Sequence, residues 1–461
     1  MTLWKKPACF LQIATRSPAP PDQRRLHMEP FKPAPYLDCV ELILPFLKKQ
    51  GGLGAILVDL TPLNQVEMNY GSKTYSEVLE SATDLILELS GTEVRASDVF
   101  ASNDRSGDGF LVFLSPPERG CAPRMAELEA VAKRVENSLN DSLGRLLSPY
   151  LSGRTRITVG FSLVLDNPLI SPERLIARLV QDAWQCARLV QADRQFRSRG
   201  LLQEILMHEE LGTVFQPIVD MGDRRTMGFE ALSRGPADSP FASPLDLFST
   251  AEEGNLSFEL DRLCRHKALK NAKGFPRDTK LFVNVLPTSI YDPALQGDSL
   301  LRLLDEAGLE PQQLIFELTE NTIIENFTLF GEAVKQLTDL GISIGIDDIG
   351  AGYSGLERIA WLHPQYLKFD IGLIRHLDTS FVRREMVRAL KVLADKMGST
   401  IIAEGIERPE ELETLLEIGI TYGQGFLLGR PAPPAWRDAS TQVALEAEGQ
   451  TVEAVEAVEA C

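Results

Sequence analysis

The segment TVFQPIVDMGDRRTMGFEALSRG, residues 213–235, contains two strand patterns joined by a short polar linker. The patterns TVFQPIVD (213–220) and MGFEAL (227–232) are both mainly apolar, and MGDRR (221–225) separates them. A parallel pair of strands needs a connection of about a dozen residues or more. The two strands are therefore predicted to pair antiparallel, as a hairpin.

Six more strand patterns follow the hairpin: KLFVNV (280–285), LIFELT (314–319), SIGIDD (343–348), YLKFD (366–370), TIIAE (400–404) and GQGFLL (423–428). Amphipathic helical stretches such as FGEAVKQLTDLG (330–341) and RREMVRALKVLADKMG (383–398) lie between most of them. This alternation predicts an α/β fold, a closed (β/α)8 barrel in which one strand runs antiparallel.

Polar residues fall late in these apolar strands, or just past their ends: Glu230, Asn284, Glu317, Asp347, Lys368 and Glu404. Gln424 lies at the start of the last predicted strand. A single buried carboxylate is equally compatible with an ion pair in the core. Repetition on six or seven strands instead favours one shared site, because (β/α) barrels carry their active sites at the carboxyl ends of the strands.

The residue types at these positions predict a metal site for phosphate chemistry. Converging carboxylates repel one another unless cations lie between them. The six cysteines and five histidines form no CxxC, HExxH or HxH group, so oxygen ligands and Mg²⁺ or Mn²⁺ are expected. Two such ions suit phosphodiester hydrolysis. Asp347 and Asp348 supply adjacent ligands, Lys368 is placed to orient a water, and Arg234 is placed to clamp a phosphate.

Composition excludes several other classes of function. The formal charge of −18 argues against sequence-independent binding to duplex nucleic acid and against adhesion to anionic lipid. No apolar run approaches the roughly 20 residues of a membrane helix. The scattered cysteines favour a reduced, cytoplasmic protein. A secretory signal at the start fits less well than an unstructured leader, because Pro7 and Gln12 interrupt its short apolar patch.

The chain is predicted to contain five parts: a disordered leader (1–35), an α/β sandwich domain (36–170), a linking helix (171–206), the barrel domain (207–438) and an acidic tail (439–461). In the sandwich domain, strands are predicted at 54–60, 108–115 and 156–165, and helices at 68–89 and 125–143.

The barrel block resembles the EAL domain, the cyclic di-GMP phosphodiesterase family. FEALSR, VNVLP, FELTE, IDDIGAGYSGL, LKFD, AEGIE and GQGFLLGRP match its motifs in order. The resemblance implies metal binding by Glu230, Asn284, Glu317, Asp347, Asp348 and Glu404. It implies that Lys368 assists the attacking water and that Glu407 and Gln424 are accessory groups near that water. Substrate contacts are implied for Gln216, Leu232, Arg234 and Gln424. Glu320 is implied to anchor the loop after the paired aspartates.

The implied activity is hydrolysis of cyclic di-GMP to linear pGpG with two Mg²⁺ or Mn²⁺ ions, in a homodimer formed through the EAL domain. Ile349, Ala351 and Gly355 depart from the family's usual loop, DDFGTGYSSL, but remove no metal ligand. The alternative interpretation is a receptor that binds cyclic di-GMP without hydrolysing it and signals through a protein partner.

The first block resembles a degenerate GGDEF domain, the diguanylate cyclase fold. RSGDGF (105–110) stands at the GGDEF position, with Ser106 in place of the first Gly and Gly109 in place of the Glu. In VDLTPLNQVEMNYG (58–71), Asp59 matches the family, whereas Thr61, Glu67 and Met68 replace Asp, Asn and Asp. These changes imply a catalytically inactive domain with a regulatory or dimerising role, and they leave GTP binding open. Arg95 and Asp98 form an RxxD pair like the family's inhibitory site, but the spacing to RSGDGF is slightly too long.

Overall fold

The computed structural model describes residues 33–103, 108–116, 124–147, 150, 156–319, 327–350, 359, 361–434 and 436. Within these ranges the chain forms two compact units, and the division falls between Arg188 and Leu189. Among the same residues, no helix combines the length and the apolar composition that crossing a bilayer requires.

The first unit is a four-stranded antiparallel sheet covered by helices on both faces. The strands, in sheet order, are β2 (Val99–Ser102), β3 (Gly109–Phe113), β1 (Gly52–Asp59) and β4 (Thr158–Leu165). The helices are α1 (Val40–Gln50), α2 (Asn64–Leu87), α3 (Met125–Leu147) and the part of α4 (Pro172–His208) up to Arg188; the rest of α4 belongs to the second unit.

Alternate side chains of the central strand β1 enter two different cores, as the period of a strand requires. Ile56 and Val58 pack with residues of α2 and α3, whereas Ala55 and Leu57 pack with residues of α1 and α4. Since β1 is buried along its whole length, the unit is a sandwich of helices on a sheet, and this part of the predicted fold is confirmed.

Two elements of the first unit were absent from the prediction, and several boundaries were different, most of all those of α2 and α3. The edge strand β2 has only four residues, and α1 contains Pro45, so both patterns are weak in the sequence. Helix α2 begins at Asn64, four residues before the predicted start, and Gly71 interrupts it with a non-helical φ of 82°.

The second unit is a closed eight-stranded barrel. Its strands are β5 (Gly212–Asp220), β6 (Thr226–Arg234), β7 (Lys280–Asn284), β8 (Leu314–Thr319), β9 (Ser343–Ile349), β10 (Tyr366–Phe369), β11 (Thr400–Ala403) and β12 (Tyr422–Gly423). Strand β5 pairs antiparallel with both of its neighbours, β6 and β12, and the other pairs are parallel. The hairpin and the single antiparallel strand are therefore confirmed.

Helices connect the parallel strands and cover the outside of the barrel. They are α5 (Pro244–Glu253), α6 (Ser257–Asn271), α7 (Gly297–Ala307), α8 (Phe327–Asp339), α9 (Ile371–Ile374), α10 (Phe381–Met397) and α11 (Pro409–Ile418). Apolar side chains of these helices and of the strands form the main cores of the unit.

The predicted last strand, 423–428, is wrong. Strand β12 contains only Tyr422 and Gly423, and the following residues turn, because the amides of Leu428 and Gly429 donate to the carbonyl oxygen of Gly425. The turn passes close to the preceding loop: a Cβ atom on Gly425 would lie 2.2 Å from the carbonyl oxygen of Ile406. Gln424 consequently follows the end of its strand, as Glu404 does.

The close approach of β4 to α4 yields a test of the first unit. A Cβ atom on Gly160 would lie 2.1 Å from the carbonyl oxygen of Ala183, so Gly160→Ala should lower the free energy of unfolding by about 1–3 kcal/mol. Gly144, exposed on α3, has no described atom within 4 Å of that position, so Gly144→Ala should stabilise by about 0.5–1 kcal/mol. Urea unfolding of the full chain measures both values, and equal effects would contradict this packing.

Candidate active site

The polar residues of the barrel lie in one layer. Ile218, Phe282, Ile315 and Ile402 form an apolar cluster, against which Tyr366 and Tyr422 pack. Strand side chains alternate between the two faces, so the residue two positions further along each parallel strand faces the same way. Those residues are Asn284, Glu317, Lys368, Glu404 and Gln424.

Two glycines and the antiparallel strand complete the same pattern. Gly228 and Gly345 occupy the apolar layer two residues before Glu230 and Asp347. On β5, which runs in the opposite direction, Gln216 lies two residues before Ile218 and pairs with Glu230. All eight strands therefore contribute a polar side chain at one level of the barrel.

Lys368 lies at the centre of this polar layer and is only 1% exposed. Its ammonium nitrogen is close to four carboxylates: 3.1 Å from Glu230 Oε2, 3.0 Å from Glu317 Oε1, 3.4 Å from Asp347 Oδ1 and 2.5 Å from Glu404 Oε1. Lys368 is therefore a buried cation among acidic groups and not a surface lysine.

Two amide side chains donate hydrogen bonds to the two carboxylate oxygens of Glu230. Asn284 Nδ2 donates to Glu230 Oε1 over 2.9 Å, and Gln424 Nε2 donates to Glu230 Oε2 over 2.7 Å. Gln424 also donates to Gln216 Oε1, and Gln216 donates to the carbonyl oxygen of Gly429. Because the amide nitrogen of Asn284 faces Glu230, its side-chain oxygen is the atom available to a cation.

Burial and mutual repulsion shift the pKa values of these groups. Burial and the neighbouring carboxylates raise the pKa values of Glu317 and Glu404 well above the ordinary range, against the opposing charge of Lys368. Burial would also raise the pKa of Glu230, but the charge of Lys368 and the hydrogen bonds from Gln424 and Asn284 keep this pKa below its usual value. Burial alone would lower the pKa of Lys368, yet the surrounding carboxylates raise it well above normal.

Two overlapping groups of carboxylates could each hold a cation. One contains Glu230, Glu317 and Asp347, the other contains Asp347, Asp348 and Glu404, and within each group the ligand oxygens lie within 4.8 Å of one another. Glu317 is fully buried; its Oε1 atom forms the ion pair with Lys368, and its Oε2 atom accepts no hydrogen bond from the residues that the structure describes. A buried carboxylate in that condition is costly. The residues present therefore fit a divalent metal.

Asp348 is held in an unusual backbone conformation beside Asp347. Its φ of 59° lies in the left-handed region, which costs a residue other than glycine about 1 kcal/mol or more. Its amide donates to Asp347 Oδ1 over 3.0 Å. This turn directs two consecutive aspartates towards the same group of ligands, as the prediction of adjacent ligands requires.

Leu232 and Arg234 follow Glu230 along β6 and are half-buried. Arg234 Nη1 donates to the carbonyl oxygen of Ser233, 2.9 Å away. Burial lowers the pKa of Arg234, and the charge of Glu230 opposes that shift. The structure thus places an arginine beside the carboxylates, at the carboxyl end of the strand that carries Glu230.

The structure does not place Glu407 among the carboxylates around Lys368. The Glu407 side chain is 42% exposed, and its Oε2 atom forms an ion pair with Arg375 Nη2, 3.1 Å away. Glu320 and most of the loop after the paired aspartates, residues 351–358, lie outside the described residues. The predicted roles of Glu407 and Glu320 remain predictions.

Sequence reasoning did not identify Glu411, a carboxylate only 2% exposed near the start of α11. A signal was available, because Glu411 lies four residues before Leu415 and seven before Ile418, on the apolar face of the helix. A carboxylate on that face needs a partner inside the protein.

In the first unit, Gly109 is closely packed. A Cβ atom on Gly109 would lie 2.6 Å from Trp184 Cζ2, so no larger side chain fits there without movement of the Trp184 ring. Asp59 accepts two hydrogen bonds from Thr61, from its amide over 2.9 Å and from its hydroxyl over 2.6 Å. The RxxD aspartate, Asp98, is buried and accepts bonds from Ser115 and from the amide of Arg95.

Comparison with known proteins identifies the class of the second unit. The sequence profile of the EAL domain matches residues 199–431, which is half of the chain. The chain belongs to the EAL domain family. This agrees with the eight-stranded barrel, its antiparallel strand and the polar layer at the strand ends.

The chain is also similar to individual members of the family. It is 27% identical to the cyclic di-GMP phosphodiesterase NbdA of Pseudomonas aeruginosa over 83% of this chain and 49% of NbdA. It is 28% identical to the cyclic di-GMP phosphodiesterase PdeR of Escherichia coli over 83% of this chain and 58% of PdeR. A solved c-di-GMP complex of PaMucR phosphodiesterase is 30% identical, covers 51% of this chain and 98% of that chain, and has a TM-score of 0.47. The chain thus spans about half the length of these two curated relatives.

The affinity of the site for Mn²⁺ should fall as the pH is lowered through about 6. Burial and the charge of Asp347 raise the pKa of Asp348 to about 6, and the pKa values of Glu317 and Glu404 are also raised well above the ordinary range. A protonated carboxylate cannot ligate a metal, so protons compete with the ion at low pH. Calorimetric titration between about pH 5 and about pH 8 measures this, with Asp348→Asn expected to give a shallower dependence. A constant affinity over this range would contradict the assignment.

Proposed function

We propose that the chain is a metal-dependent phosphodiesterase that opens cyclic di-GMP to linear pGpG. The observation that carries the proposal is the pair of overlapping carboxylate groups around Lys368, at the carboxyl ends of the strands of an EAL-family barrel. The names of NbdA and PdeR support the choice of substrate.

The residues that would hold two Mg²⁺ or Mn²⁺ ions are Glu230, Asn284, Glu317 and Asp347 for one, and Asp347, Asp348 and Glu404 for the other. When bound, two such ions activate the attacking water and stabilise charge on the attacking and leaving oxygens. Asp347 belongs to both carboxylate groups, which supports its assignment as the shared ligand.

Lys368 acts as a hydrogen-bond donor in this proposal. The surrounding carboxylates raise its pKa and favour the protonated ammonium group, which can orient the attacking water or bond a phosphate oxygen. The proton of the attacking water passes to a carboxylate or to solvent. Hydrolysis forms one bond from the water oxygen to phosphorus and breaks the bond from phosphorus to the 3′-oxygen, which then takes a proton.

Substrate contacts come from β5, β6 and the loop after β12. Arg234 clamps a phosphate, Leu232 supplies apolar contact, and the hydrogen-bonded pair Gln216 and Gln424 borders the site. Glu407 is an accessory group in this scheme. To act, its carboxylate would leave the ion pair with Arg375 and turn towards the substrate. We also propose that the enzyme is a homodimer formed through the EAL domain.

The first unit, in this proposal, is a GGDEF-like domain without cyclase activity that regulates the barrel. Its limits are 36–170, followed by the linking helix 171–206 and the EAL domain 207–438. The contact of Gly109 with Trp184 and the bonds from Thr61 to Asp59 support the loss of catalysis. GTP is the first regulator to test, because the resemblance is to a GTP-consuming fold.

Restoring the missing glutamate should not restore a cyclase. Gly109→Glu should yield neither cyclic di-GMP nor its hydrolysis product pGpG from GTP, and it should destabilise the full chain by about 1–3 kcal/mol, because its side chain would overlap Trp184. Chromatography of nucleotides after incubation with GTP and Mg²⁺ measures the first result, and urea unfolding measures the second. Formation of either product by this single variant would refute the account of the first unit.

Turnover of cyclic di-GMP should depend on a divalent metal and on Glu230. We expect the purified chain to release pGpG with Mg²⁺ or Mn²⁺ and none with a chelator. Glu230→Ala should reduce the rate by about 100-fold or more, because it removes a metal ligand and the partner of Asn284 and Gln424. Glu306→Ala, at an exposed position on α7, is the matched control. Saturable binding of cyclic di-GMP without pGpG would instead establish the receptor.

A further inference from the structure

The buried carboxylate of Glu411 joins two loops that border the candidate active site. Its Oε1 atom accepts from the amide of His376, 3.0 Å away, in the loop after β10 and α9. Its Oε2 atom accepts from the amides of Glu407 and Arg408, both 3.3 Å away, in the loop after β11. Arg408 Nε also lies 3.2 Å from Oε1.

A helix cap does not account for this arrangement. A capping glutamate at this position bonds one amide at the start of its own helix, here that of Arg408. Glu411 also binds an amide of a different loop, and its side chain is almost completely buried. His376, the donor from that loop, has a φ of 60°, a left-handed conformation that the surrounding contacts must maintain.

The two loops are joined at further points. Arg408 forms an ion pair with Asp378, in the segment after α9. A Cβ atom on Gly405 would lie 2.5 Å from Ile371 Cγ1, so the backbone of one loop contacts a side chain of the other. Gly405 directly follows Glu404, whose own amide donates to the carbonyl oxygen of Phe369. The loops therefore continue directly from the strands that carry Lys368 and Glu404.

Contacts also extend from the second loop to Gln424. The amide of Ile406 donates to the carbonyl oxygen of Gln424 over 3.1 Å, and the amide of Gln424 donates to that of Ala403 over 2.8 Å. The segment from Glu404 to Glu407 thus lies between the loops after β10 and β12. Glu411 holds the Glu407 end of this segment, and the bond from the Glu404 amide to Phe369 holds the other end, so the position of the Glu404 carboxylate depends on both contacts.

We propose that Glu411 is a positioning residue of the active site: its carboxylate fixes the loops after β10 and β11, and so holds Glu404 in ligand geometry beside Lys368. This inference rests on the proposed function. Glu411→Gln keeps the size of the side chain but removes one acceptor oxygen, so at least one of the two loops loses its bond.

The test compares Glu411→Gln with Glu410→Gln in the full chain. Glu410 is the preceding residue, it is 59% exposed, its contact with Arg408 is a long one of 3.7 Å at the surface, and its substitution makes the same change of charge. Three quantities are measured: Mn²⁺ affinity by calorimetry, kcat and KM for release of pGpG, and the thermal unfolding temperature. Asp378→Asn, which removes the ion pair with Arg408, is a second variant in case Glu411→Gln does not fold.

We expect Glu411→Gln to weaken Mn²⁺ binding and to lower kcat, each about 10-fold or more, as loss of a group that orients a metal ligand does. KM should change little, because Gln216, Leu232 and Arg234 belong to other strands. Glu410→Gln should match the wild type, and Asp378→Asn should shift both quantities in the same direction as Glu411→Gln.

Two results would overturn the inference alone. One is a Glu411→Gln variant with the kcat and the Mn²⁺ affinity of the wild type. The other is a variant whose unfolding temperature is lowered while kcat and Mn²⁺ affinity are unchanged, which would leave Glu411 as a helix cap only. A wild-type chain that neither binds Mn²⁺ nor releases pGpG would overturn the proposed function, and the inference with it. If the wild-type chain binds Mn²⁺ and releases pGpG while Glu411→Gln behaves like it, the inference fails and the proposed function stands.

Discussion

The arrangement of the barrel depends on one buried ammonium group surrounded by four carboxylates. Each contact between Lys368 and a carboxylate is favourable at about 3 Å in a low-dielectric interior, but one positive charge cannot compensate four negative ones. The strands hold the carboxylates together against their repulsion, and the cost is visible in the raised pKa values of Glu317 and Glu404. The remaining negative charge is complementary to divalent cations, and through them to a phosphate group.

Barrel geometry makes this concentration of charge possible. The layer before the polar one is apolar and closed, with Phe282, Ile315 and Ile402 at its centre, so water has no access from that side. Polar side chains in such surroundings have few rotamers and few competing partners. The network from Asn284 through Glu230 and Gln424 to Gln216 then links strands on both sides of the antiparallel strand.

The predictable part of the site was the part that obeys strand periodicity. A carboxylate such as Glu230 is conspicuous within an apolar strand, and the spacing of 221–225 was enough to indicate the hairpin. Loop positions have no such periodicity: the motif implies a role for Glu407, but its ion pair with Arg375 is a tertiary contact. GQGFLL failed as a strand because its apolar residues pack through a turn at Gly425, which local hydrophobicity cannot distinguish from extended structure.

The antiparallel strand also affects how the protein is made. Strand β5 is the first of the barrel to leave the ribosome and β12 is the last, yet these two are neighbours, and Ala432 continues their pairing at Phe215. The bond from Gln424 to Gln216 spans 208 positions of the chain. Contacts of such sequence separation form late and slowly during folding. The polar layer is therefore incomplete until translation of the barrel is finished, so a nascent or truncated chain that lacks β12 has the carboxylates but not the ring that holds them.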